Sequence, residues 1–261
     1  MRFKLNLRLN KGVYGNILPI SYQYELSAYI YKTIAKSNNL YASWLHDNGF
    51  TNYHKRFKMF VFSNLFPQCK AIGDRMCILS DTMYLYLSFL PDKSTEEFVK
   101  GIFLDNILTL GDDKSKVQFQ VENIEAFATP PALHNCEFQA LSPVTVSIKR
   151  ENGSIEYVSP EKEDYGRMLI NNLKEKHLAF YGKEFSCDDS YEFELLSPAK
   201  SRLITIKANT PEMTRVKGFQ YRFRLSTEDT LMRIMYEAGL GEKNSIGFGM
   251  VEKAASLNSL F

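Results

Sequence analysis

The chain has 261 residues, with 32 Lys and Arg against 30 Asp and Glu, a net charge of +2, and 44% hydrophobic residues. These values suit one large domain or two compact ones with a proper core, and they exclude extended disorder and a globally basic nucleic-acid coat. Any anion-binding role must come from a local patch. No run reaches the ~18 apolar residues of a membrane span, and the alternating N-terminus lacks the apolar block of a signal peptide, so the cytoplasm is the expected compartment. Cys69, Cys77, Cys136 and Cys187 show no CxxC spacing and suggest neither a disulfide framework nor a zinc site. Nineteen Phe and 15 Tyr accompany a single Trp, which serves core filling and base stacking equally well.

In chain order, Phe3, Leu5, Leu7 and Leu9 alternate with Arg2, Lys4, Asn6 and Arg8, which predicts a strand with one buried face. Helical spacing follows over 22–37, with Leu26, Ile30 and Ile34 as the buried stripe and Tyr31 at its flank. A short helix is expected over 41–47 and a strand over 58–63. Residues 76–79 and 84–89 read as a hairpin. Ser94 with Glu97 forms a capping box for a helix to about Leu108, and 117–127 is the closing strand. The order β-α-β-β-α-β is that of the split βαβ, or ferredoxin-like, motif.

After a break at Thr129-Pro130-Pro131-Ala132 the order repeats. Strands are expected over 137–141 and 144–149, then a helix over 160–180 carrying Leu169 and Leu173. Further strands follow over 191–196, 203–207 and 219–225. Ser226 with Asp229 caps a last helix bearing Leu231, Ile234 and Met235, and a final strand starts near Gly247. The fold class is therefore α+β, with two tandem ferredoxin-like (RRM-like) domains over 1–128 and 133–261. Each is an antiparallel sheet with helices on one face.

Three constellations suit chemistry. Residues 239–249 place Gly239, Gly241, Gly247 and Gly249 in eleven positions, with Lys243, Asn244 and Ser245 between them. Glycines permit left-handed backbone and close approach, so their N–H groups can surround an anion. The spacing is neither a P-loop nor a dinucleotide fingerprint. The glycine density exceeds what a helix cap with a bulge needs and favours contact with an RNA backbone. Second, 200–224 carries Lys200, Arg202, Lys207, Arg215, Lys217, Arg222 and Arg224 against only Glu212. Phe219, Tyr221 and Phe223 lie among them, suited equally to base stacking or to a half-buried strand. Third, His46 in Leu45-His46-Asp47 is followed by His54, Lys55, Arg56 and Lys58, and a histidine there can exchange protons near neutral pH. No HExxH, paired-carboxylate or GxSxG motif supports a zinc protease or an α/β-hydrolase.

With these features the sequence resembles the CRISPR-associated endoribonucleases of the RAMP superfamily that process precursor CRISPR RNA. The resemblance spans nearly the whole chain. It rests on Ile30-Tyr31, Leu45-His46-Asp47, the 57–63 segment, Leu141-Ser142-Pro143-Val144 and, most specifically, the glycine-rich segment 239–249 continuing into Met250-Val251. It implies cleavage within the repeat by attack of a 2′-OH, without a metal or other cofactor, leaving 2′,3′-cyclic phosphate and 5′-OH ends. The implied catalytic residues are Tyr31, His46 and Lys58, with Lys55, Arg56 and His54 as local competitors. RNA contacts are expected from Lys200, Arg202, Arg215, Lys217, Arg222, Arg224, Gly239, Gly241, Lys243, Asn244, Ser245, Gly247 and Gly249. Implied partners are CRISPR repeat RNA, effector-complex subunits and a second copy of the chain, with no membrane. The alternative is a non-catalytic RAMP subunit that holds guide RNA in an effector complex.

Overall fold

The computed structural model describes residues 1–53, 55–186, 190–208 and 210–254; His54 and Cys187 lie outside these. The first half contains β1 (Arg2–Leu9), α1 (Gln23–Ser37), α2 (Asn39–Asp47), β2 (Phe60–Phe62), β3 (Thr82–Phe89), α3 (Asp92–Leu104), β4 (Ile107–Gly111) and β5 (Lys116–Phe127). Its five-stranded sheet has the order β2-β3-β1-β5-β4, with every neighbouring pair antiparallel. The alternation read in the first strand holds: Phe3, Leu5, Leu7 and Leu9 are buried against Leu26, Ile30 and Ile34 of α1 and Phe98 and Ile102 of α3. The two helices approach at backbone distance, since a Cβ on Gly101 would lie 1.9 Å from the Thr33 carbonyl oxygen.

The second half repeats the plan with β6 (Glu137–Ala140), α4 (Tyr165–Tyr181), β7 (Glu192–Leu195), β8 (Lys200–Ile206), β9 (Thr214–Gln220), β10 (Arg222–Ser226), α5 (Asp229–Ala238) and β11 (Val251–Lys253). Four of these strands form a sheet in the order β7-β10-β6-β11. Leu169 and Leu173 of α4 and Leu231, Ile234 and Met235 of α5 pack with Phe138, Phe223 and Val251 in its core. β8 and β9 stand apart as a two-stranded ribbon, anchored by Ile204, Ile206 and Val216 packing on Phe248.

Several local expectations change. Arg75–Ile78 does not pair with β3; it joins Ile17–Pro19 and Cys69–Ile72 in a separate three-stranded sheet. The capping box at Ser94 is not formed, because the helix already begins at Asp92, with Pro91 before it in extended backbone. Ser94 hydrogen bonds Tyr41 at 2.5 Å instead, and Glu97 takes hydrogen bonds from Ser37 and Asn38 at the junction of α1 and α2. Leu108 falls in β4 rather than in that helix. Glu228, not Ser226, caps α5 by accepting from the Thr230 N–H at 2.8 Å. Strand 144–149 shortens to Ser147–Lys149, paired with Ile155–Tyr157, and 219–225 divides at Tyr221 into β9 and β10. Asn244–Ile246 is a turn of 3₁₀ helix, and the last strand starts at Val251.

Arg2, assigned by alternation to the polar face of β1, is only 1% exposed. It crosses to the second half, donating to the Val251 carbonyl at 2.8 Å, the Glu252 carboxylate at 2.5 Å and the Tyr236 carbonyl at 2.6 Å. Its guanidinium also lies 3.6 Å from the Tyr236 ring centre, and the Tyr236 hydroxyl donates to Glu252 at 2.7 Å. The face opposite the first core thus becomes the seam between halves. Arg2→Ala leaves Glu252 buried without its cation and should destabilise the protein by ~3–5 kcal/mol. Denaturant unfolding measures this, and a loss below 1 kcal/mol would show that the seam does not depend on the pair.

Candidate active site

Tyr31 lies on the flank of α1, His46 in the last turn of α2, and Lys58 just ahead of β2. The fold brings all three together. The Tyr31 and His46 rings meet edge to face with centres 5.0 Å apart, and Phe60 supports Tyr31 from another side at 5.5 Å. Lys58 Nζ donates to the His46 carbonyl at 2.5 Å. His46 Nδ1 meets the Asp47 carboxylate at 2.8 Å, and its side chain is 66% exposed. Engaging Nδ1 in this way fixes the ring and leaves Nε2 as the nitrogen for proton exchange.

The placement of Lys58 is enforced by backbone. Gly49 follows α2 at φ +63°, and a Cβ there would lie 2.6 Å from the Phe57 carbonyl oxygen and 3.0 Å from the Lys58 side chain. Only glycine lets the Phe50–Asn52 and Lys55–Phe57 hairpin return so closely to α2. Met59, next to Lys58, holds the uncommon φ of +55° for a buried non-glycine residue. Of the two competing basic residues, Lys55 is ion-paired, whereas Arg56, like Lys58, is held by a backbone carbonyl. Lys55 meets both Glu175 oxygens at 2.7 Å, and Arg56 donates to the Asp47 carbonyl at 2.9 Å.

Burial pushes the Tyr31 hydroxyl well above the ordinary phenol range, opposed only in part by a hydrogen bond with Ser245. Tyr31 is therefore a neutral phenol near pH 7. Burial first, and Arg56 second, lower the Lys58 ammonium from its ordinary value, with Asp47 opposing.

Ser245 reaches Tyr31 because segment 239–249 is pressed onto the first half. The Ser27 hydroxyl donates to the Ser245 carbonyl at 2.6 Å. A Cβ on Gly247 would collide with Phe62 and Gln23, and one on Gly239 with Asn244 and Val61. Gly249, at φ +81°, would bring a Cβ within 1.9 Å of the Leu240 carbonyl oxygen, and Gly241 would meet that of Thr145 at 2.4 Å. Buried Asn244 donates to the Leu240 and Phe248 carbonyls at 3.1 and 2.9 Å. The four glycines and Asn244 therefore carry packing roles; Lys243 is exposed, and Glu242, Ser245 and Ile246 are partly exposed.

The basic segment divides. Lys200, Arg202, Arg215 and Lys217 are exposed on the β8–β9 ribbon, whose Thr205 N–H reaches the Ser21 hydroxyl at 3.2 Å beside α1. Arg222 and Arg224 lie on β10 and are ion-paired with Glu137 and Glu194. Phe219, Tyr221 and Phe223 are buried core residues, so the base-stacking alternative for them falls away.

Between the halves lies a cavity of about 580 Å³, lined by Lys58, Ser147, Lys149, Asn172, Lys176, Lys243 and Ser245 among others. Four of these were not singled out from sequence: Ser147, Lys149, Asn172 and Lys176. The available signal was Lys176 itself, seven residues after Leu169 on the buried stripe of α4. It is 1% exposed and donates to the Gly239 and Gly241 carbonyls at 2.7 and 2.8 Å. Among the described residues no group of three or more His, Cys, Asp or Glu gathers to hold a metal ion, and no helix is long and apolar enough to cross a membrane.

A solved structure of a RAMP protein binding different RNA substrates shares this fold, superposing with a TM-score of 0.79 over 97% of this chain and 99% of that one, at 24% identity. Residues 17–125 match the family CRISPR-associated protein Cas6, N-terminal, and residues 128–253 match CRISPR associated protein Cas6, C-terminal. CRISPR-associated endoribonuclease Cas6 1 of Methanocaldococcus jannaschii is 32% identical over 265 residues, covering 99% of this chain and 94% of the relative. A solved CRISPR associated protein Cas6 gives a TM-score of 0.72 at 29% identity over 97% and 99% of the two chains. The chain belongs to the Cas6 family of CRISPR-associated endoribonucleases.

Burial lowers the Lys176 ammonium to about 7, with Glu242 and Glu175 opposing. Below that pH both folded and unfolded chains carry the proton; above it the folded chain gives it up first, so stability from this group rises from about pH 7 towards the ordinary lysine value near 10.5. The Tm of the protein minus that of Lys176→Met should rise across this window. A difference that stays flat or falls would refute it.

Proposed function

We propose that this Cas6 endoribonuclease cuts precursor CRISPR RNA within its repeats at the Tyr31–His46–Lys58 cluster, using the substrate's own 2′-OH. The 2′-oxygen bonds to the scissile phosphorus and releases its proton to solvent. The bond to the 5′-oxygen breaks, and that oxygen leaves with a proton, giving 2′,3′-cyclic phosphate and 5′-OH ends. The observation that carries this reading is the packing of a proton-exchanging imidazole against a phenol, with an ammonium hydrogen-bonded to the same histidine.

His46 Nε2 donates to the leaving oxygen, a step worth ~10²–10⁴-fold. Tyr31, held neutral by burial, orients the attacking hydroxyl rather than deprotonating it. Lys58 stabilises charge on the nonbridging oxygens. None of these roles calls on a metal ion. Both halves are read as ferredoxin-like domains, 1–128 and 133–261, because each main sheet places its central strands in the order second, third, first, last. RNA runs from the site past Lys243 and Ser245 to Lys200, Arg202, Arg215 and Lys217. The packing glycines and Asn244 shape this path, and Arg222 and Arg224 contact RNA only by exchanging their carboxylate partners. The reaction takes place in the cytoplasm, with effector subunits or a second copy of the chain as further partners.

A repeat RNA carrying a 2′-deoxy sugar immediately upstream of the cut should resist cleavage, whereas excess chelator should leave the rate unchanged. His46→Ala should lose ~10²–10⁴-fold in cleavage rate and retain RNA affinity. Product-end sequencing and single-turnover rates measure both. Cleavage of the deoxy substrate defeats the mechanism, and tight binding without product assigns the chain to the non-catalytic RNA-holding role.

A further inference from the structure

The interdomain cavity has the properties of a ligand site rather than of imperfect packing. Its volume of about 580 Å³ falls within the ~300–1,000 Å³ of ligand pockets. Lys58 and Ser245 belong both to its wall and to the catalytic cluster, so it opens directly beside the scissile position. Its lining is predominantly basic, with Glu242 the single carboxylate against Arg56, Lys58, Lys149 and Lys243. Glu242 is held by the Ser147 N–H and hydroxyl at 3.1 and 2.7 Å. Lys149 and Lys243 are exposed, and among the described residues neither has a carboxylate partner. Lys243 is presented by left-handed backbone, φ +58°.

The second observation is Asn172. It lines the cavity from α4, is 8% exposed, and its side-chain carbonyl oxygen has no hydrogen-bond partner. An unpaired buried acceptor destabilises a folded chain, and most such groups are satisfied. A leucine, with the same branching and number of heavy atoms, would remove that penalty. An N–H donor arriving with a ligand would satisfy the oxygen.

We propose that this cavity is a nucleotide subsite: a nucleotide flanking the scissile phosphate turns its base into the cavity, where Asn172 accepts from a base N–H, while Lys149 and Lys243 hold the adjoining phosphates. Seating the base fixes the sugar and phosphate beside Lys58, so the subsite orients the reacting groups as well as adding affinity. This extends the catalytic reading above and rests on it.

The test uses full-length protein and a fluorescent repeat RNA made uncleavable by a 2′-deoxy sugar at the cut, so that binding is read apart from chemistry. Abasic substitution at one of the two nucleotides flanking the cut should weaken binding to the unaltered protein about tenfold. Asn172→Leu should bind intact RNA about as weakly, show little further loss with that abasic RNA, and melt no lower than the unaltered protein. The Lys149→Ala/Lys243→Ala variant should lower the salt slope by ~0.7 per lost phosphate contact. Equal abasic penalties in the protein and in Asn172→Leu, or an unchanged salt slope, overturn the subsite. A protein that cuts unmodified RNA yet shows those equal penalties refutes the subsite alone. One that neither binds nor cuts refutes the catalytic reading along with it.

Discussion

Between Gly239 and Gly249 the chain runs so close to the first half that side chains at Gly239 and Gly247 would strike Val61, Phe62 and Gln23. The geometry around Tyr31 depends on that approach. It delivers Ser245 to Tyr31 on α1 and ties its backbone to Ser27, while Lys243 stays at the mouth of the cavity. A loop with side chains at these glycines would have to shift away from Val61, Phe62 and Gln23, moving Ser245 relative to Tyr31 and the cavity wall. The loop is also held from behind, where Lys176 donates to two of its carbonyls from the buried face of α4. That lysine acts as a strut inside the second half, and its loss of proton affinity follows from the burial this position demands.

Contact between glycines and side chains of the other half limits distance but leaves rotation weakly specified. Arg2 supplies direction. A planar guanidinium with several donors matches only one arrangement of the Tyr236 and Val251 carbonyls and the Glu252 carboxylate. Buried ion pairs are often no more stabilising than apolar residues of the same volume, so its value lies in orienting one sheet against the other. The first strand thus faces two ways, with Phe3, Leu5, Leu7 and Leu9 towards its own helices and Arg2 towards the second half.

The elements legible in the sequence were those with an uninterrupted period. The first strand, α1, α4 and the βαββαβ order all followed from spacing. Boundaries and caps were less legible because Ser94 and Glu97 have the right spacing for a local box but are claimed by Tyr41, Ser37 and Asn38 from neighbouring helices. Arg75–Ile78 looks apolar enough for a hairpin with β3, yet its partner strands come from Ile17–Pro19 and Cys69–Ile72. For the site, Tyr31, His46 and Lys58 were expected from family resemblance, and their proximity depends on long-range packing that periodicity does not encode. Gly49 and Asn172 left no local sign. The first matters through a collision with Phe57, the second through a hydrogen bond it lacks.

The net charge of +2 gains its meaning only from how each cation is partnered. Arg222 and Arg224 sit where cross-strand neighbours Glu137 and Glu194 neutralise them. Lys55 is tied to Glu175 and Lys207 to Glu212. Lys58 is held instead by a carbonyl, which orients an ammonium without cancelling its charge, and the salt bridges of the described residues include no carboxylate on Lys149 or Lys243. Among the described residues, cations without a carboxylate in a salt bridge remain on the cavity at Arg56, Lys58, Lys149 and Lys243 and on the β8–β9 ribbon at Lys200, Arg202, Arg215 and Lys217. Local groups of like charge raise the potential near the surface even when the chain as a whole is nearly neutral. The total of +2 thus conceals two positive patches, one at the cavity and one on the ribbon.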